Sequence, residues 1–224
     1  MEIGATKAVQ ERIKSTSLEK ARDTSLVFCW DTHLVKLKGR NVLLIVNASN
    51  RYTIAMTDIE PRNWNYYTLY TGQVIRGIMQ SMGYSQEQIQ QYFKMSGEMI
   101  VTKTHGRKSV GGINRMVTCM EYYDKKLEKN TKYQWELSEY LNRDICQPEG
   151  FDAYGYPCEL FRLDMERLGI LPERKPAKVI DFQAYKENIC GLDNSRMSIY
   201  DEMKSIYWLL YGGESEFWFT NNQE

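Results

Sequence analysis

The densest collection of potentially chemical side chains in the sequence is KTHGRKSVGGINR (103–115). Lys103, Arg107 and Lys108 stand among the hydroxyls of Thr102, Thr104 and Ser109, where a short β-like run, MIVTK (99–103), gives way to a helical pattern. Unpaired N–H groups and the helix dipole make such a start attractive to an anion. The segment is not a phosphate loop, because GRKS lacks the upstream glycine of G-x-x-x-x-G-K-[ST]. An ordinary capped helix with a solvated basic turn would use the same residues. His105 can titrate near neutrality and hydrogen-bond an anion. A general base also needs an orienting partner within reach, and the sequence identifies none.

Asn47 and Arg51 follow the apolar run NVLLIV (41–46) and could hold a ligand at a sheet edge, although Asn and Ser also gather in turns for local hydrogen bonding. The candidate ligand or anion set is therefore Asn47, Arg51, Thr102, Thr104, His105, Arg107, Lys108 and Asn114. No catalytic residue is assigned. His33 reads as a strand residue, and the close acid pairs Asp58/Glu60 and Asp201/Glu202 read as cap and solvent-face residues. Gly111-Gly112, inside the helical stretch, implies close packing against a neighbouring element.

A second feature is aromatic. IYWLLY (206–211) and EFWFT (216–220) carry Trp208, Tyr211, Phe217, Trp218 and Phe219 around a Gly-Gly hinge. They either clamp back onto the core or present a surface to a protein partner.

The elements that position these groups follow from periodicity. KAVQERIKS (7–15) has helical spacing. LVFCW, HLVKLKG, NVLLIVNAS and RYTIAMTDI (26–59) are strand-like, with turns at Gly39-Arg40-Asn41 and Ala48-Ser49-Asn50, and predict an antiparallel meander. NVLLIV, apolar on both faces, is expected to be its central strand, and 99–103 is expected to join the sheet. Helices are predicted from Pro61 to Gly83 with a stripe of Tyr67, Val74, Ile75, Ile78 and Met82, and from a Ser85/Gln88 capping box to Gly97. Others are predicted after Gly106, near 132–146 with Leu137, Leu141 and Ile145 inward, near 157–168, and from Met197 to Tyr211. A strand block followed by helices favours α+β over a parallel βαβ sheet. Pro148-Glu149-Gly150 marks a boundary between an α+β core, 1–147, and a mostly helical extension, 148–224.

The 224 residues carry 29 basic and 29 acidic side chains, so the formal net charge is zero. A chain that neutralises many phosphates normally shows a basic excess, so nucleic acid is a less favoured partner than protein. Five dispersed cysteines without a C-x-x-C pair, and only two histidines, suit a reducing compartment and give no zinc pattern. No metal or cofactor is expected. With no apolar leader and no long apolar run, the expected location is the cytoplasm.

Trp30, the NVLLIVNASNRYTIAM hairpin and TKTHGRKSVGGIN together resemble an uncharacterised bacterial family, a domain of unknown function. Its pattern pairs a Trp and a two-strand V-N block with T-K-T-x-x-R-x-x-x-x-x-x-N. The matching positions are Trp30, Val46, Asn47, Arg51, Thr102, Lys103, Thr104, Arg107 and Asn114, within residues 1–145. Lys108 departs from it, standing where the family carries a small hydroxyl residue. The resemblance implies a bacterial, plasmid or phage setting and no activity. The functional expectation is a non-enzymatic accessory protein that binds a macromolecular partner, for instance an inhibitor of a host defence system. The alternative is a phosphate- or nucleotide-binding protein, with nuclease-like chemistry, using 102–114.

Overall fold

The structure, a computed structural model, describes residues 1–15, 17–22 and 25–174. Strands β2 (Cys29–Leu37), β3 (Arg40–Asn47) and β4 (Thr53–Thr57) form the predicted antiparallel meander. Leu37 pairs with Arg40, so the first hairpin turns on Lys38-Gly39 with φ of 49° and 82°. This mirror-image turn matches the strand twist, and it lies one residue earlier than expected.

One strand was not foreseen. Glu2–Ala5 forms β1, which pairs in parallel with β2 on one side and with β5 (Ile100–Thr102) on the other. The order is β4-β3-β2-β1-β5, so the sheet is mixed, and 99–103 reaches the meander only through β1. The connection from β1 through α1 (Lys7–Arg12) to β2 is a parallel crossover, which the expectation of a wholly antiparallel sheet did not contain. Four residues are too few for alternation to declare a strand; pairing on both sides makes this one. Val42 to Val46 on β3 are each at most 2% exposed, as an apolar run covered on both faces should be. The middle of the sheet is nevertheless β2, because β1 and β5 extend it on the far side.

Helices cover both faces. On one face Ile3, Trp30, Leu43, Ile45 and Ile54 pack with Val9 of α1, with α3 (Tyr67–Ser81), with α4 (Gln86–Met95) and with α7 (Pro157–Arg167). On the other, Val42, Leu44, Val46 and Ala55 meet Ile113, Met116 and Met120 of α5 (Gly106–Glu121) and Leu137 and Leu141 of α6 (Trp135–Asn142). The predicted stripe from Pro61 is divided at Tyr66 into α2 (Pro61–Asn65) and α3. The Ser85/Gln88 capping box opens α4 as expected. Phe161 of α7 lies 6.0 Å from the Trp30 ring and 5.3 Å from Tyr52. The compact unit accordingly runs Met1–Glu173, and the expected boundary at 147/148 falls within it. Trp208, Tyr211, Phe217, Trp218 and Phe219, with the helix expected from Met197, lie outside the described residues. Among the described residues no helix is long and apolar enough to cross a membrane.

The helix expected over 132–146 is shorter, because its first residues close the outer edge of β4. Thr57 N–H donates to Lys132 O at 2.7 Å and Gln134 N–H to Ala55 O at 3.0 Å. Ala55 N–H donates to Ser138 Oγ at 3.0 Å, and Asn142 Oδ1 and Nδ2 bond the N–H and C=O of Thr53, each at 2.8 Å. Ile145 falls beyond the helix and is exposed. Ser138→Ala strands the Ala55 N–H in a buried position and should cost about 1–3 kcal/mol in urea unfolding.

Candidate functional site

On the α5 side of the sheet the apolar cluster stops short of β1 and β5. There the register places Glu2 beside Cys29 and Gly4 beside Asp31, so one end of this face is polar. Asp31 is fully buried, and α5 begins directly above it. His105, the residue before the helix, donates its backbone N–H to both Asp31 oxygens at 3.2 Å and its Nδ1 to Oδ1 at 2.7 Å. Ser109 Oγ donates to Asp31 Oδ2. His105 Nε2 reaches Glu2 Oε2 at 3.3 Å, and Glu2 also accepts the Arg22 N–H at 2.9 Å. Space comes from Gly4, where a Cβ would sit 1.7 Å from Asp31 Oδ1.

The anion favoured at the start of α5 is thus the protein's own carboxylate. It meets the helix terminus and a histidine together, an arrangement that stabilises charge without solvent. Burial by itself would lower the His105 pKa. Hydrogen bonds to Asp31 and Cys29 and the electrostatic influence of both outweigh it, raising the pKa to about 10. The ring is therefore an imidazolium at neutral pH, a buried cation between two carboxylates that joins β1, β2 and α5. Because the folded value exceeds the unfolded value of about 6.5, this stabilisation is complete below that pH and is lost as pH rises toward 10. Urea midpoints should fall between about pH 7 and pH 10, and His105→Gln should flatten that slope. An equal slope in the variant would remove the imidazolium from the account.

The structure distributes the other predicted residues. Asn47 is buried and holds the turn: Nδ2 donates to Val27 O at 2.9 Å, and Oδ1 accepts from the N–H groups of Ser49 and Asn50. Arg51, at φ 63°, lies against Gly112, where a Cβ would stand 2.9 Å from its Nε. This is the close packing the glycine pair implied; Gly111 faces open space. Thr102 is buried and donates to Lys103 O at 2.9 Å, and Thr104 is half-buried. Arg107, Lys108 and Asn114 are exposed. Of the set, His105 alone joins the Asp31 cluster. Glu2 and Asp31 were not anticipated; the E-I-G-A alternation was the only signal for the first, and none marked the second.

A different concentration of charge surrounds the β2–β3 turn. A cleft of about 420 Å³ is lined by Lys38, Arg40, Asp58, Lys126, Leu127, Lys129 and Asn130. A second, of about 320 Å³, adjoins it through Arg40 and Asp58 and adds Arg12, Leu34, Ile59 and Trp64. Arg40 is engaged by the fold: it pairs with Asp58 at 2.5 Å and donates to Thr57 Oγ1 and Glu128 O, each at 2.9 Å. Lys38 Nζ donates to the carbonyls of Asp124 and Lys125. Arg12, Lys126 and Lys129 form no ion pair among the described residues. The Glu128 carboxylate accepts the backbone N–H groups of Trp135 and Glu136 at the start of α6. Five cations thus line the paired clefts against one carboxylate. No single stretch announces this, since α1, the hairpin and the segment after α5 each contribute.

The chain belongs to DUF6933, a domain of unknown function, whose family model matches residues 2–160. This agrees with the family resemblance of Trp30, the β3 hairpin and the TKT segment. The match reaches into α7, beyond the 145 residues over which the resemblance is read. A comparison with curated proteins finds no match.

Proposed function

We propose that this chain is a non-catalytic accessory protein of a bacterium, plasmid or phage, and that it works by binding a polyanionic macromolecule in the paired clefts. The observation that carries this reading is the five-to-one excess of cations there in a chain whose formal net charge is zero. Such a local field attracts a polyanion even when the whole molecule is neutral. The alternative site at 102–114 is less suited, because Asp31 already occupies the helix terminus an external phosphate would need. The buried imidazolium is an anchor for β1, a role that needs no substrate.

Lys126→Glu with Lys129→Glu tests this reading, since neither side chain holds an ion pair among the described residues. Against a panel of polyphosphate, polyglutamate and an oligonucleotide, the wild type should bind at least one with steep salt dependence. The double variant should bind at least about tenfold more weakly, with the salt slope for a single strand reduced by about 1.4 for two lost contacts. Binding unchanged in the variant, or none to any polyanion at low salt, would refute the proposal.

A further inference from the structure

We infer that the polyanion is a single-stranded nucleic acid, an inference that rests on the polyanion reading above and narrows it. The smaller cleft carries an indole as well as charge. Trp64 lines it and stacks on Tyr67, with ring centroids 5.9 Å apart and an interplanar angle of 12°. That contact fixes the ring beside Arg12, while Lys38, Lys126 and Lys129 line the adjoining cleft. A positively charged track with an aromatic platform suits a strand whose phosphates follow the cations and whose bases stack. An acidic peptide would bind most simply by adding a strand to the neighbouring sheet edge. That route is closed, because the N–H groups of Thr53, Ala55 and Thr57 on β4 already donate to Asn142, Ser138 and Lys132. What the surface offers a ligand is charge and stacking. Base stacking is sequence-tolerant, so the binding discriminates little between sequences.

The test is fluorescence anisotropy on the full chain, with labelled oligo-dT and oligo-U of about 12 nucleotides and polyglutamate of equal charge. Expected is binding of one or both oligonucleotides at least tenfold tighter than polyglutamate, the two arms assigning DNA, RNA or both. Trp64→Leu, which keeps an apolar side chain against the core, should weaken the oligonucleotide roughly five- to hundredfold and leave polyglutamate unchanged. Trp64→Phe should retain most of the affinity. Photo-crosslinking of the wild type provides a readout that does not depend on a variant folding, and should label the peptides holding Trp64 or residues 125–130. Equal binding of polyglutamate and oligonucleotide with Trp64→Leu silent, or crosslinks confined to other peptides, would overturn the nucleic-acid assignment and leave the polyanion reading standing. Absence of binding to every probe would overturn both.

Discussion

Asp31→Ala should remove about 3–5 kcal/mol of stability, a large part of the roughly 5–15 kcal/mol that holds a domain of this size. The reason is what remains behind. The His105 imidazolium would lose its nearest carboxylate and keep Glu2, at 3.3 Å, and Cys29, while the His105 N–H and the Ser109 hydroxyl would lose the acceptor they share. An uncompensated buried charge costs more than the pair contributes when intact. Asp31→Asn separates charge from shape, since the amide keeps one acceptor oxygen at nearly the same volume. It should destabilise less than Ala and shift the alkaline loss of stability to lower pH. Urea unfolding of the three proteins at about pH 6 and pH 9 measures both effects. An Asp31→Ala loss below about 1 kcal/mol would mean that water or a rearranged Glu2 replaces the carboxylate, against the mutational pattern for buried pairs.

Gly4→Ala should cost about 3 kcal/mol or more through a single methyl group. Its Cβ would stand 1.7 Å from Asp31 Oδ1 and 3.0 Å from both Asp31 Cγ and the Thr104 Cα. Overpacking a rigid site costs about 1–3 kcal/mol, and driving the carboxylate from its donors adds a desolvation penalty of similar size. Gly111→Ala is the contrasting case. Gly111 lies within α5, and a methyl group there would meet nothing within 4 Å. The change should therefore be neutral or stabilise by roughly 0.5–1 kcal/mol. In thermal melts Gly4→Ala should fall well below the wild type, while Gly111→Ala should match or exceed it. If Gly4→Ala melts with the wild type, the close approach of β1 to Asp31 is incorrect.

Both effects concern residues that carry little signal in the sequence. The meander and the capping box were legible because their determinants are local: β-branched runs between turn residues, and Ser85 three places before Gln88. The helix after Gly106 was legible for the same reason, with Ile113, Met116 and Met120 at helical spacing. His105 could be singled out as a titratable residue at a helix start. Its partners could not, because Glu2 and Asp31 are 103 and 74 residues away. The alternation in a four-residue strand such as β1 is too short to declare it, and the strand exists through pairing with β2 and β5.

The basic clefts follow the same logic. Equal numbers of basic and acidic residues argued against a nucleic-acid partner, but net charge is a sum that contains no positions. Arg12, Lys38, Lys126 and Lys129 meet only because the β2–β3 hairpin reaches both α1 and the segment after α5.

The sequence by itself determined a chain of the α+β class with a three-strand meander, most of its helices, and membership of an uncharacterised family signalled by Trp30, Asn47 and the TKT segment. These rest on interactions between residues close in the chain, which composition and spacing encode directly. Only the tertiary structure decided which carboxylate fills the start of α5, that the sheet is mixed, and where the cations gather. Each of those depends on bringing distant segments together, and the loop closures and buried pairings that do so leave no periodic trace.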